Sequence, residues 1–144
     1  MEPILNKVKM VRVYPNQAPL SLTNDGAREV FFIGVGSAFA KRNRQTNFLL
    51  IKGDTHIMVD LGATGPFALM ETAGLKVTDL GALLPTHSHA DHVGGIEELG
   101  LMSRYVGQKF MHRPKVQVIV NEEYQRILWD QTLRGGMEFN EQDG

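Results

Sequence analysis

One segment constrains this chain more than any other: Leu84-Pro85-Thr86-His87-Ser88-His89-Ala90-Asp91-His92-Val93-Gly94-Gly95. Three of the chain's five histidines fall within six residues, with an aspartate among them. The apolar run Leu80–Leu84 ahead of it reads as a strand, and Asp91–Leu101 behind it reads as a helix. The cluster therefore falls at a strand's carboxyl end, where α/β sheets place their ligand sites. Neutral imidazole and carboxylate are good ligands for Zn²⁺ and similar cations. On an extended loop, His87 and His89 lie two apart and point to one side, so they can hold one metal together. Asp91 and His92 enter as the chain turns into the helix and can face a second metal, or the water between two. The competing reading is a run of solvated loop histidines with Asp91 as a helix N-cap. Three imidazoles and a carboxylate at this spacing favour the metal. His56 and His112 stand apart and are expected to be structural or surface residues.

The rest of the chain frames this segment. Ile4–Tyr14 alternates loosely between apolar and polar and reads as an amphipathic strand, broken by Pro15-Asn16-Gln17. Residues 21–26 read as a turn. Glu29–Val35 and Asn47–Ile51 are short apolar runs that read as buried strands. Lys52-Gly53-Asp54 is a hairpin turn into a third strand, Thr55–Asp60. A helix opens at Thr64 or Gly65, with Pro66 in its first turn, and Gly74 closes it. Lys115–Val120 reads as a strand, and Asn121 caps a helix running through Leu133. Strands followed by strand–helix units give an α/β class with a mixed sheet and flanking helices. The length of 144 residues suits one domain, 1–144.

Composition narrows the function. Fifteen basic residues nearly balance sixteen acidic ones, which argues against a protein that grips nucleic acid by bulk charge alone. Lys41-Arg42-Asn43-Arg44 is the one local basic candidate. With no cysteine, thiolate metal sites, disulfides and a cysteine nucleophile are excluded. No apolar run approaches the roughly 18 residues a membrane helix needs, and the first residues lack the pattern of a signal peptide. A cytoplasmic location is the expectation.

His87-Ser88-His89-Ala90-Asp91-His92 resembles the His-x-His-x-Asp-His signature of the metallo-β-lactamase superfamily at every defined position. Ile57-Met58-Val59-Asp60-Leu61-Gly62 is similar to that family's earlier strand-end aspartate motif. The resemblance implies that Asp60 supports the metal loop by hydrogen bonding, as carboxylates beside ligand histidines do. Phe32-Ile33-Gly34-Val35-Gly36-Ser37-Ala38-Phe39, with Gln45-Thr46-Asn47-Phe48, resembles the ribonuclease Z-like branch. Its Gly-x-Gly-Ser-Ala turn makes Ser37 a candidate substrate contact. Arg113-Pro114-Lys115 and Leu128 through Met137 resemble homologues of the anti-Pycsar type, which degrade cyclic nucleotide signals. Two readings of Arg134 stand level. Followed by two glycines, it can offer a guanidinium and free amides to a phosphate. It can equally be the basic last turn of a helix.

The implied protein is a Zn²⁺-dependent hydrolase, with Mn²⁺ or Fe²⁺ as alternatives. Two ions occupy a complete site in an αβ/βα sandwich. His87 and His89 would hold the first ion. Asp91 and His92 would hold the second, with Asp91 as the catalytic residue that orients the attacking water. The implied substrate is a cyclic nucleotide or, less favoured at this net charge, an RNA 3′ end; β-lactams, thioesters and lactones are the alternatives within the fold. One departure is large. The family's second half supplies another histidine, an aspartate and a final histidine, and after His92 this chain has only His112. The expectation is the N-terminal portion of such a fold. It would be completed by a homodimer partner or a separate second half, or would be an inactive fragment, and in each case apolar surface would be left open.

Overall fold

The computed structural model describes residues 8–10 and 19–138. The expected strand Ile4–Tyr14 lies outside the described residues except for Val8–Met10, which adopt no regular element. Five strands form one sheet in the order β1-β2-β3-β4-β5: Glu29–Gly34, Asn47–Lys52, Thr55–Val59, Ala82–Leu84 and Gln117–Val118. The first three pair antiparallel, and β3–β4 and β4–β5 pair parallel, so the sheet is mixed as expected. The β2–β3 hairpin turns at Lys52-Gly53-Asp54, with Gly53 at φ 57°. That left-handed conformation costs glycine nothing.

The helices are α1 (Gly65–Ala73), α2 (Ala90–Val93), α3 (Ile96–Met102), α4 (Glu122–Leu128) and α5 (Arg134–Met137). Pro66 sits in the first turn of α1, and Gly74 ends the helix at φ 66°, its amide reaching back to Leu69 and Met70 carbonyls. Asn121 caps α4, its side chain accepting from the Tyr124 amide. Among the described residues, no helix is long and apolar enough to cross a membrane.

Alternation in the strands decides which face is buried. Leu49 and Ile51 of β2, Ile33 of β1, Met58 of β3 and Leu83 of β4 point to one face. There they pack with Ala68, Leu69 and Ala73 of α1, Ile96 and Leu99 of α3 and Leu128 of α4. The opposite face carries Val30, Phe32 and Leu50, with Val30 and Phe32 53% and 55% exposed. Phe32 meets the partly buried Phe48 across the β1–β2 pair at a centroid distance of 5.6 Å.

Three elements differ from expectation. The helix expected over Asp91–Leu101 is divided into α2 and α3 at Gly94-Gly95, because the backbone of Leu61–Ala63 passes too close there for side chains. The strand expected over Lys115–Val120 shrinks to two exposed edge residues. The last helix passes through a wider π-type stretch at Trp129–Leu133 before α5.

His56 is structural, as expected. From β3 its Nε2 accepts the Gly81 amide at 2.9 Å, tying β3 to the start of β4. Only the neutral ring can accept there. Burial pushes its pKa below the usual value, opposed by the backbone and the charge of Asp79. The unfolded chain takes up a proton near pH ~6.5. The stabilisation is therefore complete above that pH and is lost as pH falls through the lower, folded-state value. The gap in melting temperature between the wild type and His56→Gln should shrink from pH 7.5 to pH 5.0. A gap that stays constant would contradict this assignment.

Candidate metal centre

Parallel pairing of β3 with β4 sets the carboxyl ends of the two strands side by side, with Val59 opposite Leu84. The next residues continue the link, as the Asp60 amide donates to the Leu84 carbonyl at 3.0 Å. Asp60 then leaves the strand in a left-handed conformation, φ 58°, unusual for a residue other than glycine. This strained turn aims its buried carboxylate at the chain emerging from β4. The carboxylate accepts from the Thr86 amide at 2.7 Å, from the Thr86 hydroxyl, and from His92 Nδ1 at 2.7 Å. Both ends of the histidine loop thus hang on one carboxylate.

A second set of bonds fixes the loop's backbone. The Leu61 amide donates to His92, Ala63 to Ala90, and Gly95 back to Leu61, all between 2.7 and 3.0 Å. Backbones lie this close only because the contacts lack side chains. A Cβ on Gly62 would run into the Asp91 carbonyl, one on Gly94 would lie 2.9 Å from Ala63 Cβ, and one on Gly95 2.8 Å from the Gly62 carbonyl. Gly62 is anchored in turn by Asn47, whose fully buried amide accepts from the Gly62 N–H at 2.7 Å and donates to the Gln45 carbonyl at 2.6 Å. Gln45 Oε1 accepts from the Thr64 amide, and its Nε2 donates to Ala38. The glycine-rich β1–β2 connection is thereby stitched to the same turn.

This frame brings His87, His89, Asp91 and His92 together. His87 and His92 rings meet at 3.9 Å with their planes tilted by 46°, and His87 and His89 meet nearly edge-on at 4.7 Å. Hydrogen bonding assigns the tautomers. His92 Nδ1 faces Asp60, which leaves Nε2 as the nitrogen directed at Asp91 Oδ2. Thr86 Oγ1, already donating to Asp60, can accept from His87 Nδ1 at 3.0 Å, which leaves a lone pair on His87 Nε2. Asp60 and Thr86 thus present two imidazole nitrogens in the form a cation needs.

Among the described residues, no group of three or more His, Asp or Glu side chains is arranged around one ion. The donors form two pairs instead. His87 Nε2 lies 3.0 Å from His89 Nδ1, and Asp91 Oδ2 lies 3.2 Å from His92 Nε2. Two ligands each about 2.0–2.2 Å from a tetrahedral Zn²⁺ stand about 3.3–3.6 Å apart. Both separations are a little shorter than that, and an all-nitrogen-and-oxygen donor set suits Zn²⁺ or Mn²⁺. The residues fit a cation two by two.

The two substrate-contact candidates are both exposed. Ser37 is exposed in the β1–β2 connection, its carbonyl accepting from Ala40. Arg134 is exposed and bonds Glu138 through Nε and Nη2 at 2.9 and 2.6 Å, with Asp130 at 3.9 Å. Gly135 and Gly136 lie inside α5, not in an open loop. The basic candidate Arg44 is pinned by Glu71 at 2.8 Å and stacks on Phe67. His112 is exposed and left-handed, φ 52°. Thr86, Gln45 and Tyr124 were not singled out by the sequence, because their partners are distant in the chain.

The parallel strand ends and the loop they carry define a metallo-β-lactamase fold of α/β class. Human tRNase Z, short form, superposes with a TM-score of 0.57 at 21% identity, over 77% of this chain and 40% of that one. The chain belongs to the anti-Pycsar protein Apyc1 family, whose model matches residues 28–144. The Apyc1 protein of Paenibacillus sp. (strain J14) is 41% identical over 112 residues, 78% of this chain and 42% of the relative. That of Saccharibacillus brassicae is 40% identical over 105 residues, 73% of this chain and 41% of the relative. That of Bacillus phage 010DV004 is 30% identical over 112 residues, covering 77% and 42%. The chain thus spans about two fifths of the length of these relatives.

The glycine contacts make a paired prediction. Gly62→Ala should destabilise by about 1–3 kcal/mol, since the obstructing atoms are backbone. Gly135→Ala, in a helix with open space around the new methyl, should stabilise by about 0.5–1 kcal/mol. Urea unfolding of both variants checks the signs.

Proposed function

We propose that this chain contributes the first metal-binding segment of a cyclic nucleotide phosphodiesterase. The observation that carries this reading is the pairing of donors: His87 Nε2 with His89 Nδ1, and Asp91 Oδ2 with His92 Nε2, on a loop held by Asp60. Membership of the anti-Pycsar family and the near-neutral charge favour a small cyclic nucleotide over a large RNA.

His87 and His89 would hold one cation, and Asp91 and His92 a second. Bound cations would supply Lewis acidity at a phosphoryl oxygen and acidify a water to a usable nucleophile near neutral pH. Each ion would take four or more ligands, and the described residues offer two to each. Further donors would come from water, from another segment or from a second copy of the chain. Asp60 would hold His92 by Nδ1 and so direct its Nε2 toward the ion shared with Asp91. Asp91 would accept a hydrogen bond from the attacking water and aim its lone pair at phosphorus. The hydroxyl ends on phosphorus, one P–O ester bond to the ribose breaks, and the departing ribose oxygen takes the proton. The product is a linear nucleoside monophosphate.

With Zn²⁺ or Mn²⁺, the intact protein should convert cyclic AMP or cyclic CMP to the monophosphate. Asp91→Asn should cost about 10²–10⁴ in kcat. Liquid chromatography of the nucleotides reads both. Undiminished turnover by Asp91→Asn would sink the proposed role. So would hydrolysis of a β-lactam, thioester or lactone with no cyclic nucleotide consumed.

A further inference from the structure

The metal loop is fixed at its start by Asp60 through Thr86 and at its end by Leu61 and Ala63. Its middle carries the two imidazoles of the first donor pair, with Ser88 between them. Ser88 Oγ lies 3.2 Å from the Tyr124 hydroxyl, on a helix 36 residues further along the chain. Tyr124 is well placed to be an anchor. Its amide is held by the Asn121 cap at 2.7 Å, and its ring packs against the core cluster. A tyrosine ring so held has little rotamer freedom left to lose, so its hydroxyl can pin a loop at small entropic cost.

We propose that Tyr124 is a positioning residue of the metal centre: its hydroxyl holds Ser88 and so fixes the direction in which His87 and His89 present their nitrogens. The loop-ordering part stands on the geometry alone, whereas the metal-affinity part rests on the reading given under Proposed function.

Tyr124→Phe removes one oxygen and keeps the ring, which suits it to a test. In the metal-free protein it should speed amide hydrogen exchange across His87–Ala90. The melting temperature should stay close to that of the wild type. Zn²⁺ affinity, measured by chelator competition, should fall about three- to tenfold, the scale of one neutral hydrogen bond. Ser88→Ala should do the same, and the double variant no more than either single one. Ile127→Ala, on the same helix, should leave loop exchange unchanged. Unaltered exchange in Tyr124→Phe, or losses that add in the double variant, would overturn the proposal. If the wild type binds no Zn²⁺, the metal reading fails, and exchange alone decides the role of Tyr124.

Discussion

A carboxylate in a left-handed turn holds this site together. Asp60 ends β3 one strand away from the loop it supports, and only the parallel pairing of β3 with β4 brings it within reach. It accepts from a backbone amide, a hydroxyl and an imidazole at once. Buried as it is, it would be costly to leave without those partners, so carboxylate and loop order each other. The strain of a non-glycine residue at φ 58° is sustained by the same bonds.

The rest of the frame follows from bringing two backbones together. Leu61–Ala63 runs against Ala90–Gly95 with glycines where side chains would collide, and three backbone hydrogen bonds close the contact. Asn47, buried in the first position of β2, fixes Gly62 from the sheet side. The core that supports these contacts lies on one face of the sheet, while the other leaves Val30, Phe32 and Leu50 in the open. Among the described residues, the site thus sits at the strand ends of a sheet whose buried side chains lie on one face.

Much of this was legible in the sequence, for reasons that differ by residue. His87, His89, Asp91 and His92 are neighbours in the chain, so their proximity needed no fold to reveal it. The strands Asn47–Lys52 and Thr55–Val59 and the helix Gly65–Ala73 announced themselves by apolar pattern and by punctuation at Gly53, Pro66 and Gly74. The supporting residues were harder to see. Thr86, Gln45 and Tyr124 act through partners 19 to 36 residues away, a relation that only tertiary structure creates. The break at Gly94-Gly95 escaped periodicity because it answers to a neighbouring backbone and not to the helix's own pattern. The edge strand Gln117–Val118 is short because its partner β4 is itself only three residues long, and the Ile119 amide to the Leu83 carbonyl closes the ladder, whatever the apolar run around it.

The central claim is that this loop, and not the chain's other histidines, binds metal. Elemental analysis after Zn²⁺ loading and desalting tests it most directly. The measurement would compare the wild type with two double variants, His87→Ala/Asp91→Ala and His56→Ala/His112→Ala. The account predicts bound Zn²⁺ in the wild type and in the second variant, and its loss in the first. Equal Zn²⁺ in both variants, or loss only in the second, would contradict it.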